Sequence, residues 1–222
     1  MPEWPEQRRF SRYQIILPLL HKATPADLTV GVGWTRNLGQ GGACVELAER
    51  LEPRMPRWGR LQTNRGPIEV EAQVAWAGES SAATGAVLHG LAFTRIAPAH
   101  LQTFAELIRS EGEIRQAGVR VPIDLSVTCQ PKEQMGPSLR GQTADISRGG
   151  LSLRLPQRLA PSTMVNLILR TPHGPLTAEG KIVWTAPADR EPPTGPIRHG
   201  VQFTRLGWST SLSLGLVLAE SP

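Results

Sequence analysis

The chain has 222 residues, of which 40% are hydrophobic and 19% are charged. This balance is typical of a globular protein and excludes an intrinsically disordered chain. The 24 basic and 19 acidic residues give a net charge of +5, which is compatible with an anionic partner but does not by itself indicate one. No signal-peptide-type segment and no run of 18 or more apolar residues is present, so we expect a cytoplasmic protein without membrane insertion.

The first half of the chain is predicted to contain an exposed N-terminal arm over residues 1–9, followed by short strands. Alternation of apolar and polar residues, with turn residues between the alternating segments, is the signal for each strand. The predicted strands cover residues 12–21 (broken near Pro18), 29–36, 43–48, two segments between 61 and 76 around a turn at 64–67, and 86–95. The apolar residues after Pro98 have helical spacing and predict a helix over 98–110.

Two glycine-pair stretches reveal an internal repeat. Asn37–Gly42 and Asp145–Gly150 lie 108 residues apart, and each contains a polar, an apolar, a small and a polar residue before two glycines. The same offset relates 12–19 to 120–127 and 74–76 to 182–184, and an offset of 110 relates 89–95 to 199–205. A constant offset is the signature of a duplicated chain. The sequence therefore predicts two related domains, residues 1–110 and 111–222.

The second half repeats the plan of the first. Its predicted strands cover about 120–129, 139–145, 150–155, 164–170, 176–185 and 197–205, and its tail (212–218) could be helix or strand. Six short antiparallel strands in about 100 residues, with turn signals between them, indicate a small β-barrel. We predict a mainly all-β fold of two tandem six-stranded antiparallel β-barrels with short helical extensions.

The residues around the two turns resemble the PilZ domain family, whose members bind the bacterial second messenger cyclic di-GMP. The family pattern is RxxxR followed, two to three dozen residues later, by (D/N)xSxxG. The first half contains the arginine pattern at Arg8–Arg12, and the second contains the turn pattern at Asp145–Gly150. The strands that end at Trp76 and Trp184 look like later strands of the family's barrel. The resemblance extends over nearly the whole chain as two copies.

The resemblance implies that the arginines and the turn bind the ligand. An arginine fork donates twice to guanine O6 and N7 or to phosphate oxygens, and its plane stacks on a base. The turn adds an Asp or Asn side chain for a guanine edge, a small hydroxyl, and a glycine that admits the base against the backbone. In the first copy the implied cyclic di-GMP-binding residues are Arg8, Arg9, Arg12, Asn37, Gly39 and Gly42.

The two copies depart from the family pattern in different ways. The first copy keeps both arginines but has Gly39 where the family prefers serine. The second copy keeps the turn but has Gln116 at the position of the first arginine. We favour binding in the first copy, because the arginines carry most of the anion and guanine recognition. A degenerate second domain, a second site and a composite site all stay open. A second or composite site would comprise Arg115, Arg120, Asp145, Ser147, Arg148 and Gly150.

Several of these residues also have simpler interpretations. The three arginines of the arm could be solvated, and Asn37 and Asp145 could be turn-forming residues. Trp76 and Trp184 are predicted to lie in the core. His89 and His199 are predicted at the surface or at strand edges, since neither has a partner at metal-ligand spacing.

The sequence contains no pattern that indicates catalysis or a metal site. Cys44 and Cys129 do not correspond in the repeat, so neither a disulfide framework nor a metal site is expected. Ser147 has no recognisable base partner for nucleophilic catalysis, and no phosphate-binding loop or paired acid signature is present. We therefore expect no enzyme activity and no cofactor other than the ligand.

Three functions are compared. The preferred one is a cyclic di-GMP receptor that signals by ligand-induced rearrangement and by contacts with an unidentified protein partner. The alternative is a degenerate PilZ scaffold that mediates protein interactions in motility or exopolysaccharide control. A barrel that binds nucleic acid is disfavoured, because aromatic residues total only 5% and do not alternate with basic residues as in stacking platforms.

Overall fold

A computed structural model of the chain describes residues 10–112, 119–132, 138–187 and 195–221. These residues belong to two compact units, each built on one antiparallel sheet. The first sheet contains β1 (Arg12–Tyr13), β2 (Pro18–Lys22), β3 (Gly31–Gly39), β4 (Gly42–Leu47), β5 (Pro56–Thr63), β6 (Gly66–Ser80) and β7 (Val87–Ile96). The second sheet contains β8 (Val121–Pro122), β9 (Ser126–Pro131), β10 (Leu139–Ser147), β11 (Gly150–Leu155), β12 (Met164–Thr171), β13 (Gly174–Thr185) and β14 (Ile197–Arg205).

Each sheet closes into a six-stranded barrel. The first follows the order β3-β2-β5-β6-β7-β4, and β4 pairs back with β3. The second follows β10-β9-β12-β13-β14-β11, and β11 pairs back with β10. Closure leaves no free edge in either ring, which removes the aggregation hazard of an exposed strand edge. The predicted pair of six-stranded barrels is confirmed.

A two-residue strand lies beside the ring in each copy, in the same register. In the first barrel β1 pairs with the end of β3, Arg12 opposite Gly39. In the second barrel β8 pairs with β10, Val121 opposite Ile146 and Pro122 opposite Asp145. This register puts Arg120 at the level of Ser147, as Arg12 is at the level of Gly39.

A buried threonine bridges the interval where the chain leaves the ladder after β1. Thr35 Oγ1 donates to the Ile15 carbonyl over 2.6 Å and accepts from the Leu17 N–H over 2.8 Å. Thr143 Oγ1 makes the equivalent bonds in the second barrel, at 2.6 and 2.9 Å. Buried backbone groups that leave a sheet need such partners. Each threonine therefore fixes the path of the segment that follows the short strand, β1 in the first barrel and β8 in the second.

Both barrels bury the apolar members of their alternating strands. In β11, for example, Leu151, Leu153 and Leu155 are fully buried. Burying a side chain of this size stabilises the fold by about 1.5–3 kcal/mol. The alternation that predicts these strands is thus the pattern that forms the core.

Each barrel is followed by a helix. A 3-10 turn over Pro98–His100 leads into α1 (Leu101–Gly112), close to the predicted helix, and Phe104 of α1 packs edge-to-face on Phe93 with 5.9 Å between ring centroids. The tail of the second copy forms α2 (Trp208–Ala219). Of the two structures that the sequence allowed for this tail, the helix is therefore the observed one. No helix in the described ranges is long and apolar enough to cross a membrane.

Candidate functional site

The predicted ligand-binding turn of the first copy is the tip of the β3–β4 hairpin. Gly39 pairs with Gly42 across a two-residue turn. A β-carbon at Gly42 would collide with the Leu91 carbonyl of the neighbouring strand β7. The equivalent Gly150 meets the Val201 carbonyl in the same way. Close approach of a barrel strand therefore accounts for the glycine at both positions.

The described end of the N-terminal arm, residues 10–12, lies directly on this hairpin. A β-carbon at Gly39 would lie 2.5 Å from the Ser11 carbonyl oxygen and 3.3 Å from Arg12 Cγ. The ring of Phe10, which is half-exposed, would lie 2.8 Å from a β-carbon at Gly41. Two glycines without side chains thus let the arm and the stem of Arg12 cross the hairpin. Arg8 and Arg9 lie outside the described residues.

A β-bulge shapes the hairpin just before the turn. The pairing shifts between Thr35 and Asn37, so Arg36 is an extra residue on β3. Asn37 Oδ1 accepts the Cys44 N–H from β4 over 3.3 Å, and this bond holds the partly exposed amide at the bulge. A bulge of this kind re-aims side chains, and bulges are frequent beside binding sites.

Positive charge collects around this bulge. Arg12 is exposed, and its guanidinium makes no hydrogen bond or ion pair with any residue in the described ranges. Arg36 is also exposed and lies 3.8 Å from the nearest Glu46 carboxylate oxygen. Burial raises the pKa of the Cys44 thiol, the fields of Arg12 and Arg36 lower it, and the field of Glu46 adds a smaller raising effect. Two cations and one carboxylate therefore act on the Cys44 thiol, and the cations outnumber the carboxylate.

The second copy contains the same elements, but they bond to one another. Arg120 Nη1 donates to Asp145 Oδ1 over 2.5 Å, with 40% of the arginine and 24% of the aspartate side chain exposed. Ser147, which is buried, donates its hydroxyl hydrogen to the Gly150 carbonyl over 3.2 Å. The polar groups of this turn are thus satisfied within the turn and by the adjoining strand.

Arg148, another residue of the second predicted site, contacts the C-terminal helix α2. Its guanidinium carbon lies 5.7 Å from the ring centroid of Trp208, the first residue of α2. A guanidinium over an indole face is a favourable cation–π arrangement. Arg115, also predicted for this site, lies outside the described residues.

Arg36 is a site residue that the sequence argument did not select. It precedes the turn pattern by one position, and the matching residue of the second copy is Ala144. The signal that could have found it is the difference between the copies, since the arginine at this position appears only in the copy with the RxxxR pattern. Periodicity could not find it, because the bulge interrupts the alternation at this residue.

The two repeated tryptophans do not lie in the core. Trp76 and Trp184 are 42% and 41% exposed. In register, Trp76 lies opposite Gly90 and Trp184 opposite Gly200, and the indole occupies the space where the glycine side chain would be. The core prediction was wrong, because each tryptophan instead covers a glycine on the neighbouring strand.

The two repeated histidines are buried structural residues, so their predicted surface or strand-edge position was wrong. Nε2 of His89 and of His199 accepts the backbone N–H of Leu51 and of Leu159, respectively, over 3.0 Å. The other ring nitrogen then carries the proton and donates to the carbonyl two residues earlier, at 3.1 and 2.9 Å. Burial lowers the pKa of His89.

The described residues offer no metal centre. Among them, no group of three or more His, Cys, Asp or Glu side chains is arranged to hold a metal ion. Cys44 and Cys129 are both buried and free.

Comparison of the sequence with protein-family models assigns both halves of the chain to one family. Residues 6–110 and 114–209 each match the model of the PilZ domain. No curated protein sequence matches the chain significantly.

Several solved structures are similar to the chain at low identity. YcgR from Escherichia coli in complex with c-di-GMP is 14% identical, with 91% of this chain and 82% of that chain covered and a TM-score of 0.39. The Borreliella burgdorferi PlzA protein in complex with c-di-GMP is 12% identical, with 92% and 93% covered and a TM-score of 0.35. The Bacillus subtilis inhibitor of motility MotI/DgrA is 12% identical, with 92% and 95% covered and a TM-score of 0.38.

Proposed function

Because the chain belongs to the PilZ domain family, we propose that it is a receptor for cyclic di-GMP and that the first barrel holds the principal site. One observation carries this choice. Arg12 lies on the β3–β4 hairpin with its guanidinium exposed and unpaired among the described residues, while Arg120 is already bonded to Asp145. An arginine without an internal partner can bind an anion without first losing a contact.

The chemistry of the hairpin suits a guanine nucleotide. The Arg12 fork donates to phosphate oxygens or to guanine O6 and N7. Asn37 Oδ1 is used by the Cys44 N–H, which leaves the amide Nδ2 to donate to guanine or phosphate oxygens. Arg8 and Arg9, which precede this segment on the arm, would add further cations when the arm covers the ligand. Gly39 belongs to the proposed site because it has no side chain and leaves room for Ser11 and Arg12 on the hairpin. Gly42 belongs to it because it lets the hairpin pack closely against β7.

Signalling would follow from the position of the arm. Among the described residues, the segment that follows the arm pairs with β3 through Arg12 and Tyr13, so ligand contacts can change its path at small cost. We propose that this change is read by a protein partner in the cytoplasm and that the chain is a receptor without catalytic activity. We also propose that the chain consists of two domains, residues 1–110 and 111–222. We propose no nucleic-acid partner.

The second barrel favours a different candidate function for its own half of the chain. Its turn bonds internally through Arg120, Asp145 and Ser147, and Arg148 stacks on Trp208. This internal bonding favours a barrel that only scaffolds protein contacts. A second site that includes Arg115, or a composite site with Asp145, Ser147, Arg148 and Gly150, would require these bonds to break first.

Isothermal titration of the full chain with cyclic di-GMP tests the proposal. We expect one tight site and much weaker binding of cyclic di-AMP, because adenine lacks the O6 acceptor that the arginine fork requires. Binding should weaken as salt rises, since the arginine–phosphate attraction is screened. Equal binding of the two dinucleotides would contradict the assigned chemistry, and absence of binding would support the scaffold function instead.

A further inference from the structure

The bulge in β3 places Arg36 on the outer face of the barrel, whereas strict alternation would place it in the interior. Trp34 and Leu38 are buried, and in an unbroken strand Arg36 would face the same interior. The extra residue turns Arg36 outward instead, and its side chain is 54% exposed beside the partly exposed Asn37. A charged side chain is thereby aimed at the solvent face of the hairpin.

The bulge itself does not need an arginine. The second barrel forms the same bulge between Thr143 and Asp145, with Ala144 as the extra residue. The two copies therefore share the backbone feature and differ in the side chain that it presents. A purely structural role for Arg36 in forming the bulge does not explain why the cation occurs in the first copy.

Internal partners also do not account for Arg36. Its nearest carboxylate, Glu46, lies 3.8 Å away, which is beyond hydrogen-bond distance, and exposed ion pairs of this kind contribute little. Arg12 lies opposite Gly39, and Arg36 lies three residues earlier on the same strand, so the two cations lie near the same end of the hairpin. The two cations repel each other and outnumber the nearby Glu46 carboxylate, so the excess positive charge favours a bound anion.

We infer that Arg36 is a ligand-contacting residue of the first-barrel site, where it donates to a phosphate or a guanine edge of the cyclic dinucleotide. This inference rests on the proposed function and adds to it a cation that lies outside the RxxxR and (D/N)xSxxG patterns. It also distinguishes the copies chemically. The first hairpin carries the cation at its bulge, and the second carries a methyl group.

Titration of Arg36 variants with cyclic di-GMP tests the inference. Arg36→Ala should weaken binding by about 5- to 150-fold, the range for losing one bidentate contact. Arg140→Ala is the matched control, because it removes one exposed positive charge from a strand of the second barrel and should leave affinity within about twofold. Thermal unfolding should be unchanged in both variants, since both side chains are exposed.

Arg36→Lys then identifies the group that is contacted. Retained affinity supports a contact with phosphate, for which a point charge suffices, and an Ala-like loss supports the planar fork on guanine. If Arg36→Ala binds cyclic di-GMP like the wild type while Arg12→Ala binds it weakly, the inference is overturned. The proposed function then still stands. A wild-type chain that takes up no cyclic di-GMP overturns both.

Discussion

Arg120 and Asp145 form a hydrogen-bonded ion pair in the second barrel, with 2.5 Å between Nη1 and Oδ1. In the first barrel the positions that correspond to this pair are Arg12 and Asn37. Asn37 carries no charge, and its oxygen accepts a backbone N–H from Cys44. The carboxylate of Asp145 thus gives Arg120 a partner, whereas the amide of Asn37 gives none to Arg12, which has no partner among the described residues.

The first prediction concerns Arg12 and its counterpart. Arg12→Ala should weaken cyclic di-GMP binding by about 1–3 kcal/mol, because it removes a charged fork from the proposed site. Arg120→Ala should leave affinity nearly unchanged, because that side chain is held by Asp145. Calorimetric titration of both variants measures the difference, and circular dichroism confirms that each is folded. Equal losses in the two variants would contradict the choice of the first barrel.

The second prediction concerns Asp145. Asp145→Ala should leave the affinity for cyclic di-GMP nearly unchanged if the first barrel holds the principal site. The variant frees the Arg120 guanidinium, so any binding by the second barrel should appear as an additional weak site in the same titration. Loss of all binding in Asp145→Ala, with Arg12→Ala unaffected, would identify the second barrel as the receptor.

The third prediction restores the family residue at position 39. Gly39→Ser adds the hydroxyl that the family pattern prefers, but its β-carbon would lie 2.5 Å from the Ser11 carbonyl oxygen. The arm must shift to avoid this clash, and the stem of Arg12 shifts with it. We therefore expect weaker binding of cyclic di-GMP than in the wild type, measured by titration.

Ser147→Gly provides the matched control for this prediction. It makes the reverse change in the second hairpin and should leave affinity unchanged. Tighter binding by Gly39→Ser would show that the missing hydroxyl, and not the path of the arm, limits affinity.

The sequence predicted the fold well because repeat offset, alternation and turn residues agreed with one another. It failed at Trp76 and Trp184 for a local reason. The pairing shifts between Val74 and Trp76, and again between Ile182 and Trp184. One extra residue exchanges the inner and outer faces of a strand, so alternation counted from Val74 predicts the wrong face for the tryptophan.

Long-range bonds explain the other differences from the sequence prediction. His89 is buried because the Leu51 N–H, 38 residues earlier, needs an acceptor inside the fold. The sequence does not reveal which loop amide lacks a partner. The candidate site was partly predictable, since the motifs place Arg12 opposite Gly39 on the strand that carries Asn37. Alternation could not predict Arg36, because only the bulge turns it outward.

The last prediction concerns pH and a buried histidine of the first barrel. His21 is 3% exposed, and neither ring nitrogen has a hydrogen-bond partner among the described residues. Burial lowers the pKa of His21 to about 4, and the positive field of Arg57 and a smaller effect of His89 add to this. Glu49, 3.5 Å away and largely exposed, does not reverse the shift.

The sign of the effect follows from where the proton binds. Between pH 6.5 and 4 the unfolded chain takes up a proton on His21 and the folded chain does not, so the free energy of unfolding falls as the pH falls. The total loss from this residue should be about 3 kcal/mol, because each unit of pKa difference corresponds to about 1.4 kcal/mol. Above pH 6.5 and below pH 4, His21 should contribute no further change.

Urea unfolding at several pH values, followed by tryptophan fluorescence, measures this slope. His21→Cys is the appropriate variant, since the second barrel has the buried Cys129 at the corresponding position. The thiol stays neutral across this range, so the variant should lose most of the decrease between pH 6.5 and 4. A smaller slope should persist, because burial also lowers the pKa of His89. If the wild type and His21→Cys lose the same stability over this interval, the acid sensitivity of the first barrel does not come from His21.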